Sequence, residues 1–72
     1  MAHMVLAGTL RNPSELEAGS ERILLTVPIQ VPGIEYPRPA IVEGFLLSND
    51  RPYRLQVTRL LIRPEGWIEV PR

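Results

Sequence analysis

Residues 40–62 read AIVEGFLLSNDRPYRLQVTRLLI, and how this stretch folds decides the rest of the chain. Residues 41–47 and 53–62 are apolar enough to form strands, and Ser48, Asn49, Asp50, Arg51 and Pro52 lie between them. Asn and Asp side chains bond their own backbone and Pro fixes φ, so such a cluster turns the chain and the whole reads as a β-hairpin. In the second arm Leu55, Val57, Leu60 and Ile62 share one face only if a bulge near Thr58 resets the alternation. Arg54, Gln56, Arg59 and Arg63 then point outward.

Upstream, residues 21–31 alternate with period two. Ile23, Leu25, Val27, Ile29 and Val31 fall on one side and Arg22, Thr26, Pro28 and Gln30 on the other, with Leu24 the exception. This pattern predicts a strand with one buried face, and Pro28, which cannot donate to a ladder, predicts an edge, a bulge or a bend there. Residues 4–10 form a first strand with Met4, Leu6, Gly8 and Leu10 on one face; Gly8 marks a bulge or a close backbone approach. Residues 12–20 read either as one helical turn, with Asn12 as N-cap and Pro13 in the first position, or as an open polar loop. Residues 31–39 hold Pro32-Gly33, Pro37 and Pro39 around Tyr36, a stiff extended connection. After the hairpin, Arg63-Pro64-Glu65-Gly66 suits a type I turn, and residues 67–70 form a short last strand. About five short strands and no helix predict an all-β fold, a small barrel or a strongly bent antiparallel sheet.

The chain has 72 residues, enough for one small domain, and a domain of this size buries only about 60% of its unfolded surface. Self-association as a homo-oligomer, or a larger protein assembly, would add to such a core. The first three residues read as a vector remnant and residues 4–72 as the domain, which sets aside His3, the single histidine. There is no cysteine, so disulfides, thiolate metal sites and cysteine nucleophiles are excluded, which suits a reducing compartment. No metal-ligand spacing and no phosphate-cradling glycine loop occurs. The expectation is a protein that is not an enzyme, carries no cofactor or metal, touches no membrane and is cytoplasmic; no apolar run nears the roughly 20 residues a spanning helix needs.

Eight arginines balance eight acids, with no lysine. Residues 1–37 carry two arginines and four glutamates, and residues 38–72 six arginines and four acids, so the halves differ in charge, −2 against +2. No acid falls between Arg51 and Arg63. Arginine forks match phosphate and stack on bases, which makes Arg51, Arg54, Arg59 and Arg63 candidates for phosphate contact. Tyr53 at the hairpin tip and Tyr36 on the proline-rich connection are candidate stacking platforms, and Arg38 beside Tyr36 is a further candidate nucleic-acid contact. The competing reading pairs these arginines with Glu43, Glu65 and Glu69 on a solvated face. Phe45 reads as core, and Trp67 as closing a barrel end or packing at a subunit contact. Glu15, Glu17 and Glu21 would repel phosphate, so any nucleic-acid path favours the arginine-rich side.

Two pieces of sequence carry a family resemblance. The first is Leu6-Ala7-Gly8-Thr9-Leu10, then Pro13-Ser14-Glu15-Leu16, Gly19 and the strand ending Leu24-Leu25-Thr26-Val27. The second is Val42-Glu43-Gly44-Phe45-Leu46, a polar tip, and Tyr53-Arg54-Leu55-Gln56-Val57. Together they resemble a shortened form of the OB-fold of bacterial single-stranded-DNA-binding and primosomal replication proteins. The resemblance implies an OB-like five-stranded barrel that binds single-stranded nucleic acid, possible service in replication or repair, and Val42 to Val57 as the fourth and fifth strands. It also implies that the usual third strand and helix are trimmed, since only the proline-rich piece separates the second strand from the fourth. The rival expectation is a small interaction or structural subunit that oligomerises and binds no nucleic acid. Apolar residues on both faces of the hairpin, Ile41, Val42, Phe45, Leu46 and Leu47, favour it because both faces then need cover.

Overall fold

A computed structural model describes residues 2–26, 31–62 and 66–70. It contains β1 (Ala2–Asn12), β2 (Glu15–Ala18), β3 (Glu21–Leu25), β4 (Arg38–Ser48), β5 (Tyr53–Ile62) and β6 (Gly66–Glu69), with no helix among the described residues. The sheet order is β3-β2-β1-β4-β5-β6, and β3 pairs a second time, parallel, with β5. That extra pairing closes the first five strands in the circular order 1-2-3-5-4-1 and leaves β6 attached outside the ring. The result is a closed five-stranded barrel plus one strand, all-β and compatible with an OB-like fold.

The largest correction to the sequence reading concerns residues 12–20. They form neither a helical turn nor an open loop: Asn12 Oδ1 accepts the Ser14 N–H at 2.8 Å, an Asx turn, and the chain folds straight back as β2. Leu16, wholly buried, lies across from Leu10 of β1 and Ile23 of β3. The strand read as second is therefore the third, so a third strand is present, five residues long and without an aromatic. It is also shorter than expected, ending at Leu25. Residues 27–30 of the expected strand lie outside the described residues, and Val31 packs against the core beyond any strand.

The hairpin forms as expected, with the anticipated bulge. Glu43 pairs with Arg59 and Gly44 with Val57, which leaves Thr58 as the extra residue. Its hydroxyl donates to the Glu43 carbonyl at 3.2 Å. The bulge lets Leu55 and Val57 before it, and Leu60 and Ile62 after it, all face inward, where they join Leu10, Leu16, Ile23, Leu25, Ala40 and Val42 in the core. It also divides β5. The first part pairs with β3 and closes the barrel, while the last part, Arg59 to Ile62, pairs with β6.

Two strand glycines are required by close approach. A Cβ on Gly8 would collide with the Glu17 carbonyl of β2, and one on Gly44 with the Gln56 carbonyl of β5. Both neighbours are backbone, so no rotamer change relieves the overlap. Phe45 departs from expectation. Ala40, Val42 and Gly44 occupy the inward positions of β4, so period two turns Phe45 to the outer face beside the His3 ring, 5.3 Å between centroids.

Candidate nucleic-acid interface

The outer wall of the barrel over β2, β3 and the start of β5 is built by register alone. Ile23 and Leu25 point inward, so Arg22 and Leu24 point outward. The parallel pairing sets Leu24 beside Arg54, while antiparallel pairing sets Glu15 beside Leu24 and Glu17 beside Arg22. Ser48 of β4 lies on the far side of Arg54. One row across four strands therefore reads Glu15, Leu24, Arg54, Ser48. Above it stands the β4–β5 connection, whose Arg51 reaches back to Glu21 at the start of β3, 2.5 Å from nitrogen to oxygen.

Most of the positive charge on this wall is already met. Arg22 holds Glu15 through two bonds of 2.8 and 3.1 Å, Arg11 lies 3.9 Å from Glu17, and Arg51 holds Glu21. The Arg22 bonds pull the Glu15 carboxyl below its ordinary range, and Glu15 in turn holds the guanidinium above its own. The Tyr53 hydroxyl first, and the Glu21 charge after it, raise Arg51 as well. Arg54 differs: it is exposed and has no ion pair or side-chain hydrogen bond with any described residue.

The structure separates the residues singled out in the sequence into two groups. Arg51, Tyr53 and Arg54 lie together at the barrel-closing end of β5, but Tyr53 is half-buried and packs on the core. Arg59 lies past the bulge on the other outer face. There its Nε donates to Glu43 Oε1 at 2.5 Å and its guanidinium sits 4.1 Å from the centre of the Trp67 ring. Of the three acids in the competing pairing, Glu43 is thus engaged, and Glu69 lies beside Arg59 in the β5–β6 register. Arg59 and His3 together hold the Glu43 carboxyl below its ordinary range, the Arg59 bond being the larger cause. Tyr36 is half-buried against the core, so only part of its ring is open for stacking. Arg38 lies at the start of β4 in a groove of about 440 Å³ that also involves Ala7, Ile41 and Leu61. Arg63 and Glu65 fall outside the described residues.

Sequence reasoning missed Arg22 and Leu24 as wall residues. The signal was present: Leu24 broke the alternation of its strand, and an apolar residue on the polar side of a strand is a surface feature that needs a reason. A second outer surface, over β1, β4, β5 and β6, is more apolar. Val5 is 57% exposed and Trp67 43% exposed, and the groove beside Ile41 and Leu61 is mostly apolar. Among the described residues, positions 2–7 of β1 pair only with β4, which leaves one edge of that segment open.

Comparisons with protein-family models, curated proteins and solved structures find no match for this chain. The barrel itself is therefore what supports the OB-like reading, and no family is assigned.

Proposed function

We propose that this protein binds single-stranded nucleic acid weakly, along the wall of β2, β3 and the start of β5. The observation that carries the reading is the parallel β3–β5 pairing. It sets the apolar Leu24 beside Arg54, which has no ion pair with any described residue, on an exposed wall next to the connection that carries Arg51. In OB barrels the face of strands two and three, with the β1–β2 and β4–β5 connections, takes up oligonucleotides. A base can rest on Leu24 while Arg54 takes the adjacent phosphate. The near balance of arginines and glutamates on the wall keeps affinity low, since non-specific binding draws on counterion release by excess positive charge.

The test is a fluorescence-anisotropy titration of labelled poly-dT at two salt concentrations. Binding that weakens steeply with salt is the expected result. No binding at low salt and tens of micromolar protein overturns the proposal.

The second reading, an assembly subunit that ignores nucleic acid, is favoured by a separate observation, the exposure of Val5 and Trp67 over an apolar groove. It predicts an oligomer at micromolar concentration. Light scattering that returns a monomer would remove it.

A further inference from the structure

We propose that Glu21 acts as a built-in competitor for the phosphate-binding fork of Arg51, so that nucleic acid gains this arginine only by displacing the chain's own carboxylate. The inference rests on the nucleic-acid reading above and adds an autoinhibitory contact to it. Arg51 projects from the β4–β5 connection with its side chain 74% exposed, yet it is held against Glu21 Oε1, whose side chain is 35% exposed. A carboxylate and a phosphate present similar oxygen acceptors to a guanidinium, so one substitutes for the other without moving the backbone. Exposed pairs of this kind are weakly held, because water and salt screen them and both side chains lose rotamer freedom. Phosphate can therefore displace Glu21 at low ionic strength.

Arg59 makes the contrast. Its guanidinium is bonded to Glu43, whose side chain is only 17% exposed, and is also stacked over Trp67, so it is fixed from two directions. Arg22 is tied to Glu15 by two bonds within one hairpin. Among these three paired arginines, Arg51 is held by the residue most distant in sequence, 30 positions away, at the start of the neighbouring parallel strand. The β4–β5 connection is thus latched to the start of β3 by the same bond that occupies its cation. Releasing the bond removes the carboxylate from the fork and leaves the neutral Tyr53 hydroxyl beside it.

The experiment measures poly-dT anisotropy at low and moderate salt for the full chain and for Glu21→Gln, Glu21→Ala, Arg51→Ala and Glu21→Gln/Arg51→Ala. Circular dichroism and urea midpoints check each fold. Glu21→Gln removes the charge but keeps an acceptor, and Glu21→Ala removes both, so one variant remains informative if the other destabilises the turn. The expected result is a gain of about two- to fivefold in affinity for both Glu21 variants. The slope of log K against log salt should steepen by about 0.7, one added phosphate contact on a single strand. Arg51→Ala alone should weaken binding modestly at low salt, where phosphate already displaces Glu21 in part, and in the double variant it should abolish the gain. A gain that survives Arg51→Ala would mean only long-range relief of negative charge, and the latch would be refuted. Unchanged or weaker binding in both Glu21 variants, with the parent still binding, would refute it as well. Failure of every protein to bind poly-dT would overturn the nucleic-acid reading itself.

Discussion

Gly44→Ala tests the close approach of β4 and β5 in the barrel wall. Gly44 lies on β4 opposite Val57, one step from the bulged Thr58, with β5 backbone close against it. The new methyl carbon would overlap the Gln56 carbonyl oxygen and sit 2.9 Å from its carbonyl carbon and 3.0 Å from the Val57 Cα. Ordinary carbon contacts lie near 3.5–4.0 Å, so the strands must part by about half an ångström or more across a hydrogen-bonded ladder. Overpacking of this kind costs about 1–3 kcal/mol. Replacing glycine returns about 0.4–1 kcal/mol by restricting the unfolded chain, which leaves a net loss of about 1–2 kcal/mol. A chain of this length has a stability of about 4–11 kcal/mol, and each lost kilocalorie lowers Tm by about 4–8 °C. Urea and thermal denaturation should therefore show Tm falling by about 5–15 °C with an unchanged urea m-value. Gly19→Ala is the control: it has open space around it but a φ of 63°, so its cost arises from backbone strain alone. A Gly44→Ala protein as stable as its parent would mean that the strands are farther apart than this packing requires.

Three further outcomes follow from the same geometry. Leu16→Ala should cost about 2–5 kcal/mol, since Leu16 is wholly buried between Leu10 and Ile23; a loss below about 1 kcal/mol would return residues 12–20 to a solvated loop. Glu15 and Glu43 have folded-state pKa values below the ordinary 4.5. The unfolded chain takes up protons first as pH falls, so the stability these groups add is complete above that range and drains away below it. Urea midpoints that stay flat between about pH 6 and pH 3 would contradict this. Arg54→Ala should weaken poly-dT binding and shallow the salt slope by about 0.7, whereas Arg59→Ala, whose guanidinium is held by Glu43 and Trp67, should leave the slope unchanged. Equal slopes in the two variants would remove Arg54 from the interface.

The hairpin was legible because three local signals agreed: apolar arms, a turn-forming centre, and a parity break at Thr58 that a bulge alone resolves. Gly8 and Gly44 were visible as glycines where a strand prefers a side chain, although which neighbour excludes the Cβ depends on the closed ring. β2 was not legible. Four residues, Glu15 to Ala18, give too short a window for period two to show, and Asn12-Pro13 imitates a helix start so well that the Asx turn is hidden. Its strand character comes from Leu16 packing between β1 and β3, a tertiary effect that local propensity does not carry. Phe45 failed for a related reason. Apolar residues on both faces of β4 left parity undecided, and Gly44 inside the barrel settled it. The pairing of the arginines was half legible: Glu43 was among the expected partners, but Glu21 lies 30 positions from Arg51 and meets it only because β3 and β5 are parallel neighbours.

The bulge at Thr58 also bears on the choice between the two functional readings. Without it, the alternation that buries Leu55 and Val57 would drive Arg59 into the core, where an unpaired charge is prohibitive. With it, Arg59 turns outward to Glu43 and Trp67, and β5 divides into a part that closes the barrel and a part that carries β6. The polar wall around Arg54 and the apolar surface around Trp67 consequently share no side chain: Leu24, Arg51 and Arg54 serve one, Val5, Leu61 and Trp67 the other. Nucleic-acid binding and self-association can then be separated by substitution. Trp67→Ser should lower any oligomer to a monomer while leaving the poly-dT salt slope per chain unchanged, and Arg54→Ala should do the reverse. A Trp67 variant that lost both properties together would show that the interface is completed only between copies, with the wall of one chain depending on the apolar surface of the next.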